Sequence, residues 1–342
     1  MSVYIRLLKA SLPYEDDIRV FTAVSKPVDT LQELYLHIRD DDGFAGLAEV
    51  RANIEFLTHI PEQAVPGVIR NLVEALDWST PPRDLYENLQ RQAASHPSIA
   101  RAAVESALTD GLAKDEKVTA AEFLGGHWID GVPTSNCLFW GADDVYERLA
   151  KRYVAEGFRD IKVRIAIEDD FNHDMARLKL FRDRFGWDVR LAVDANGAWS
   201  LDEAKARLKA LEPLNLAYVE QPTTIGDWEA FATAGLSTSI PIMADENLKD
   251  EDDFDALARL GSPFLAHLKI AKMGGPRVVV DVARRMRDAG IGVMIGQMNE
   301  GAMATALAVH CAMAVEPDFH ELYGCYGLLT DPASGVRYSD GL

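Results

Sequence analysis

Three acidic residues, Asp194, Glu220 and Asp245, each close a short apolar run and follow one another at intervals of 26 and 25 residues. Carboxylates gathered in that way need a cation. Oxygen-only ligation selects a hard divalent ion such as Mg²⁺, with water and substrate completing its shell. A lysine stands on either side of the trio: Lys162 at the end of the run Arg159 to Val163, and Lys269 directly after Phe264 to Leu268. A metal ion beside ammonium groups is equipped for proton transfer next to a charge-stabilising centre.

Those spacings correspond to one strand plus one helix. If Val189 to Asp194, Leu216 to Glu220 and Ile240 to Asp245 are parallel strands of one barrel, the acids converge on its C-terminal mouth, where barrel enzymes keep their chemistry. From Val132 onward short apolar runs alternate with helical stretches and end near Cys137, Lys162, Asp194, Glu220, Asp245, Lys269, Gly296 and Tyr323. Eight such runs, with no GxGxxG turn after the first, predict an α/β protein with a closed (β/α)8, TIM-like barrel in its C-terminal part. Ahead of it, Val3 to Leu8, Leu31 to Ile38 and Phe44 to Val50 carry strand signals, the last two joined by an Asp-Gly turn at Asp42-Gly43. Pro61 to Leu124 then turns helical, with apolar residues at threes and fours. The expected division is an α+β domain over 1–125, the barrel over 126–322, and a C-terminal segment over 323–342 packing back on the first domain.

Composition bounds the function. The 342 residues hold 35 Lys plus Arg against 54 Asp plus Glu, a formal net charge of −19, which opposes binding to a phosphate backbone and makes nucleic acid an unexpected partner. No apolar run approaches the roughly 18 residues of a membrane span, and Met1 to Ala10 has no cleavage-site context, so no membrane association and a cytoplasmic location are expected. Cys137, Cys311 and Cys325 form no CxxC pair, so a disulfide framework or thiolate zinc site has little support.

Strand periodicity sorts the neighbours: Lys162 and Arg164 share a face, as do Asp194 and Asn196, and His267 shares one with Lys269. Asp245 and Glu246 are adjacent, so Asp245 is taken as the ligand and Glu246 as its supporting or substitute partner. His267, set deeper, reads as a core histidine. Cys137 ends the first barrel strand, where a substrate contact and a plain buried residue are both open. Any one acid after an apolar run is, taken alone, more often a helix cap than a ligand.

In this order the motifs resemble the enolase superfamily, nearest its muconate-lactonizing (muconate cycloisomerase) and mandelate racemase-like members. Ala100 to Leu108 with Phe123-Leu124-Gly125-Gly126 resembles the family's last capping helix and barrel entrance. Lys162-Val163-Arg164 sits where the family has Lys-x-Lys. Asp194-Ala195-Asn196, Val219-Glu220-Gln221-Pro222 and Ala244-Asp245-Glu246 resemble its three ligand strands. Leu268-Lys269 with Gly274-Gly275-Pro276 resembles the sixth-strand lysine, and Asn299-Glu300-Gly301 the seventh-strand acid.

The resemblance implies removal of a proton α to the carboxylate of a small substrate, with Mg²⁺ stabilising the enediolate and lysine as base. It implies a role for Glu300 at a substrate carboxylate oxygen, a specificity loop about Tyr14 to Pro27 with Phe21 and Arg19 as contacts, and a homo-oligomer. Arg164 departs from the pattern. The family's second lysine transfers a proton, whereas an arginine with a pKa above ~12 is a poor base. Lys162 takes over, Lys269 acts alone, or Arg164 clamps substrate. One base suits cycloisomerisation or syn elimination better than racemisation, and Gln297 and Met298 stand where a mandelate racemase-type histidine would be. The expected activity is an isomerase, cycloisomerase or epimerase, with syn-dehydration and a non-catalytic metal-binding scaffold as rivals. A zinc amidohydrolase would want His-x-His in the first strand, and Thr134 to Leu138 has none.

Overall fold

The computed structural model describes residues 3–168 and 170–342. Met1 and Ser2, with which the first domain begins, and Asp169 lie outside the described residues. The chain opens with an antiparallel sheet of β1 (Val3–Pro13), β2 (Thr30–Asp40) and β3 (Ala45–Arg51), in the order β1-β2-β3. The turn between β2 and β3 is the expected one: the Asp40 carboxylate accepts the Asp42 and Phe44 N–H groups, and Gly43 takes φ +107°. Helices Val65–Ala75, Pro82–Gln92 and Ser98–Glu116 cover the sheet. The last is buried almost all round, from Ile99 to Ala113, because it is wedged between the sheet and the barrel. Gly46 lets it approach: a Cβ there would stand 1.9 Å from the Ala107 carbonyl oxygen.

Eight short strands follow, all parallel: β4 (Asn136–Leu138), β5 (Asp160–Arg164), β6 (Arg190–Asp194), β7 (Val219–Glu220), β8 (Ile242–Ala244), β9 (Phe264–Lys269), β10 (Gly292–Gly296) and β11 (Phe319–Glu321). Each pairs with its sequence neighbour. Ser135 N–H donates to the His320 carbonyl at 3.0 Å and Leu322 N–H to Thr134 Oγ1 at 2.9 Å, which draws the two ends together into a nearly closed barrel. Buried strands with helices outside are the geometry in which continuous apolar runs make sense. Crossover helices start on side-chain caps: Ser200 with Glu203 forms a capping box, and Asp170, Asp227 and Asp250 each accept first-turn N–H groups.

No helix follows β11. The remaining residues strap the two halves together: Tyr14 Oη donates to the Gly324 carbonyl at 2.6 Å, and Leu329 N–H to Pro13 at 2.9 Å. Arg51, at the end of β3, is buried and donates to the Met298 carbonyl at 2.6 Å, beyond β10. The small domain is thereby fixed over the C-terminal mouth. No helix among the described residues is long and apolar enough to cross a membrane.

Candidate active site

Strand register builds the site. Arg164 pairs with Asp194 across β5 and β6, and Asp194 pairs with Glu220's level on β7, so side chains far apart in sequence meet at one height. Asp194, Glu220, Asp245, Lys162 and Lys269 are all buried at the C-terminal ends of their strands. Three non-glycine residues there adopt left-handed backbone: Asn196 (φ +45°), Gln221 (φ +35°) and Asn299 (φ +57°). Such conformations cost on the order of 1 to 3 kcal/mol each and persist where neighbours over-determine them. At Gln221 the neighbours are plain: its Oε1 accepts the Asp245 and Asn247 N–H groups, both at 3.2 Å, and its Nε2 donates to Asn247 Oδ1 at 2.9 Å.

The cations are placed against the acids. Lys162 Nζ donates to Glu220 Oε2 at 2.8 Å, makes a close ion pair with Glu321, and lies 3.9 Å from Asp194 Oδ2. Lys269 Nζ meets Asp245 Oδ2 at 2.5 Å. Lys272 Nζ donates to Asp245 Oδ1 and to the Asp245 carbonyl at 2.6 Å, and to the His267 carbonyl at 2.9 Å. Arg164 donates from Nη1 to Asp194 Oδ2, while Asp194 Oδ1 accepts the Asn196 N–H at 2.8 Å. His267 Nδ1 lies 2.8 Å from Glu220 Oε1.

Burial and charge then set the proton affinities. Burial disfavours the charged form of Lys162, yet the attraction of Glu220 and Glu321 outweighs it and holds the amine above the usual lysine value. Lys269 is raised for the same reason, with Asp245 as its main partner. Glu220 and Asp245 are lowered: burial works against them, but Lys162 and His267 overcome it at Glu220, and Lys269 and Lys272 at Asp245. Burial, with Asp245 beside it, raises Glu246.

A narrow cleft with room for water-sized molecules in about 30 Å³ opens over this floor. Val20 and Thr22 of the first-domain loop, Phe56, Leu57, Phe139 and Met298 supply apolar or neutral wall, and Arg51, Arg164, Asn196, Asp245, Glu246, Lys269, Gln297 and Asn299 the polar one. Several polar atoms facing it have no hydrogen-bond partner among the described residues: Arg164 Nε and Gln297 Nε2 as donors, Asn196 Oδ1 and Glu246 Oε2 as acceptors. Each costs about 1 to 3 kcal/mol while unpaired, a cost that a ligand in the cleft would relieve.

The residues singled out from sequence do not all gather here. Asn196 and Glu246 do, joined by a 3.0 Å hydrogen bond from Asn196 Nδ2 to Glu246 Oε1. Glu300 is buried beside the cleft rather than in its wall; its Oε2 accepts the Met298 N–H at 3.2 Å, and burial raises its pKa. Cys137 is fully buried among Arg164, Lys162 and Tyr323, outside the cleft lining. Arg19 and Phe21 line a separate outer cleft with Trp140, His173 and Arg177, while their neighbours Val20 and Thr22 face the site. His267, read as a core histidine, is wholly buried but touches two of the acids. Glu321, Lys272 and Gln221 were not singled out. Glu321 could have been found as the acid closing the last apolar run, and Lys272 as the lysine three residues past Lys269; Gln221 stood within the Val219-Glu220-Gln221-Pro222 motif but without a role of its own.

Comparison with known proteins agrees with this fold. A family model described as enolase C-terminal domain-like matches residues 145–334. The hydrophobic dipeptide epimerase of Enterococcus faecalis is 26% identical over 337 residues, covering 97% of this chain and 92% of that protein. Muconate cycloisomerase 1 of Pseudomonas putida is 26% identical over 286 residues, 82% of this chain and 76% of that one. The dipeptide epimerase of Cytophaga hutchinsonii, solved with Mg and the dipeptide D-Ala-L-Val, superposes with a TM-score of 0.91 at 22% identity, covering 98% of this chain and 91% of that one.

Proposed function

The chain belongs to the enolase C-terminal domain-like family, and from that premise we propose that it abstracts the α-proton of a small carboxylate substrate with Lys269 as the base. The observation that carries the reading is the position of Lys269: it lines the cleft, and among the described residues its only ion pair is with Asp245. Lys162 lies deeper, held by Glu220 and Glu321, and does not line the cleft.

The donor set fits a divalent ion. Buried oxygens of Glu220 and Asp245 converge, and three lysines now balance charge that an ion would share. Asp194, held by Arg164 and by the Asn196 N–H, stands beside them as the third carboxylate. A bound ion, Mg²⁺ by analogy with the Cytophaga relative, supplies the positive charge that a forming enolate requires.

This chain's own residues do the rest. Arg164 stays charged throughout, so its free Nε orients an oxygen of the substrate instead of taking a proton. Gln297 Nε2 offers a second donor, and Asn196 Oδ1 and Glu246 Oε2 accept from an N–H. Donors and acceptors in one cleft suit an N-acylated or peptidic amino acid. Val20 and Thr22 close the site from above and exclude water, which strengthens every charge inside. With one base, the reaction is an isomerisation or elimination at a single face of the α-carbon. A crystal soaked with Mg²⁺ and a dipeptide tests this. The reading expects one ion on the carboxylates at about 2.0 to 2.1 Å and the α-carbon facing Lys269 Nζ; no ion, or a ligand bound away from Lys269, defeats it.

A further inference from the structure

We propose that His267 is a direct ligand of the divalent ion in this chain, through Nδ1, beside Glu220 and Asp245. The inference rests on the divalent-ion reading above and changes its donor set. The ligand atoms of Glu220, Asp245 and His267 all lie within 4.8 Å of one another. His267 Nδ1 is 2.8 Å from Glu220 Oε1 and 3.9 Å from Asp245 Oδ2. Two ligand atoms each about 2.1 Å from a common ion stand roughly 3 Å apart when adjacent and roughly 4.2 Å apart when opposite. Both distances therefore fall in the range of a shared shell before any side chain moves.

The far side of the imidazole gives a second, independent observation. His267 Nε2 is completely buried and has no hydrogen-bond partner among the described residues. A histidine that merely donated from Nδ1 to Glu220 would leave Nε2 as an orphaned acceptor in the barrel interior, at a cost of about 1 to 3 kcal/mol. With Nδ1 turned to an ion, the proton sits on Nε2, and Glu321 Oε1 stands 3.8 Å away to receive it after a small shift. A carboxylate accepting the remote N–H is the usual support of a metal-bound histidine, since it fixes the tautomer and the ring plane.

Gly296 leaves room for this ring. It lies on β10 beside β9, and a Cβ at that position would come within 2.0 Å of His267 Nε2. A nitrogen ligand in the shell moves the preference of the site from Mg²⁺ toward Mn²⁺ or Zn²⁺.

The test is pulsed electron paramagnetic resonance on the full chain loaded with Mn²⁺, made once with natural-abundance histidine and once with histidine labelled with ¹⁵N. Direct ligation predicts a nitrogen coupling that changes with the label and disappears in His267→Gln, together with Mn²⁺ binding weakened by ~10-fold or more. Mn²⁺ bound with no label-sensitive coupling overturns the assignment of His267 while leaving the metal reading intact. If Mn²⁺ does not bind at all, both fail. The comparison of labels needs only the parent protein, so it is independent of whether the variant folds.

Discussion

Arg164 donates from Nη1 to the carboxylate of Asp194, its directly paired neighbour on the adjacent strand. A cation that cannot give up its proton thus stands where the family resemblance would put a second base. Arg164→Lys puts a titratable amine there. The variant is expected to exchange the α-proton of both enantiomers of a substrate with solvent deuterium, where the parent exchanges one. Chiral separation with mass spectrometry reads this directly; equal exchange of both enantiomers by the parent would be incompatible with a single base.

Lys269→Met removes the proposed base but leaves Asp245 compensated by Lys272. Turnover is expected to fall by ~10²- to 10⁴-fold, the usual contribution of a positioned acid or base, with little change in the circular dichroism spectrum. Retained turnover in this variant would transfer the role elsewhere.

Lys162→Met should act through stability instead. It strips Glu220 and Glu321 of their shared cation in a fully buried setting, a change that typically costs about 3 to 5 kcal/mol. Because a divalent ion supplies replacement charge, saturating Mn²⁺ should recover part of the loss in urea denaturation. A variant as stable as the parent without metal would mean that this lysine is not compensating those acids.

Glu49 gives a pH dependence at the seam between the domains. Its pKa is pushed from 4.5 up to about 7, chiefly by burial, against the stabilising bonds from Tyr35 and the Ala304 N–H. Glu33, wholly buried with both oxygens unpartnered among the described residues, and Glu300 and Asp331 surround it, with Arg51 as the nearby cation. Between those two pH values the folded chain holds a proton that the unfolded chain has lost. This group's contribution is therefore complete below about pH 4.5 and declines as pH rises through 7, by about 3 kcal/mol at most. Glu49→Gln should flatten the fall in urea midpoint between about pH 5 and about pH 8. Parallel profiles for variant and parent would show that Glu49 ionises freely in the fold.

Much of this architecture could be read from spacing alone. Asp194, Glu220 and Asp245 were legible because one strand-plus-helix repeat carries each to the same barrel rim, and Lys162 and Lys269 because they extend that rim by one repeat on either side. What spacing could not supply was register and parity. Glu321 meets Lys162 only because β11 and β4 close the barrel, and Gln221 acts through a left-handed turn that propensity does not forecast. Arg19 and Phe21 fell on the wrong side of their loop by a single residue, since alternation reverses with one shift. His267, read as a core histidine, is wholly buried, and its Nδ1 lies 2.8 Å from Glu220 Oε1. The C-terminal segment is a strap and not an eighth helix because Tyr323 to Leu342 finds its partners in Tyr14, Pro13 and Thr134.

The most direct test of the account is solvent exchange at carbon. The full chain, with Mg²⁺ or Mn²⁺, is incubated in D₂O with a library of dipeptides, N-acyl amino acids and small hydroxy acids, and loss of the α-proton signal is followed by NMR. The account predicts divalent-dependent exchange into at least one of these carboxylates, abolished in Lys269→Met. If no carboxylate exchanges with either metal while the protein is folded and metal-loaded, the proton-abstraction reading is wrong, and the barrel is a metal-binding scaffold.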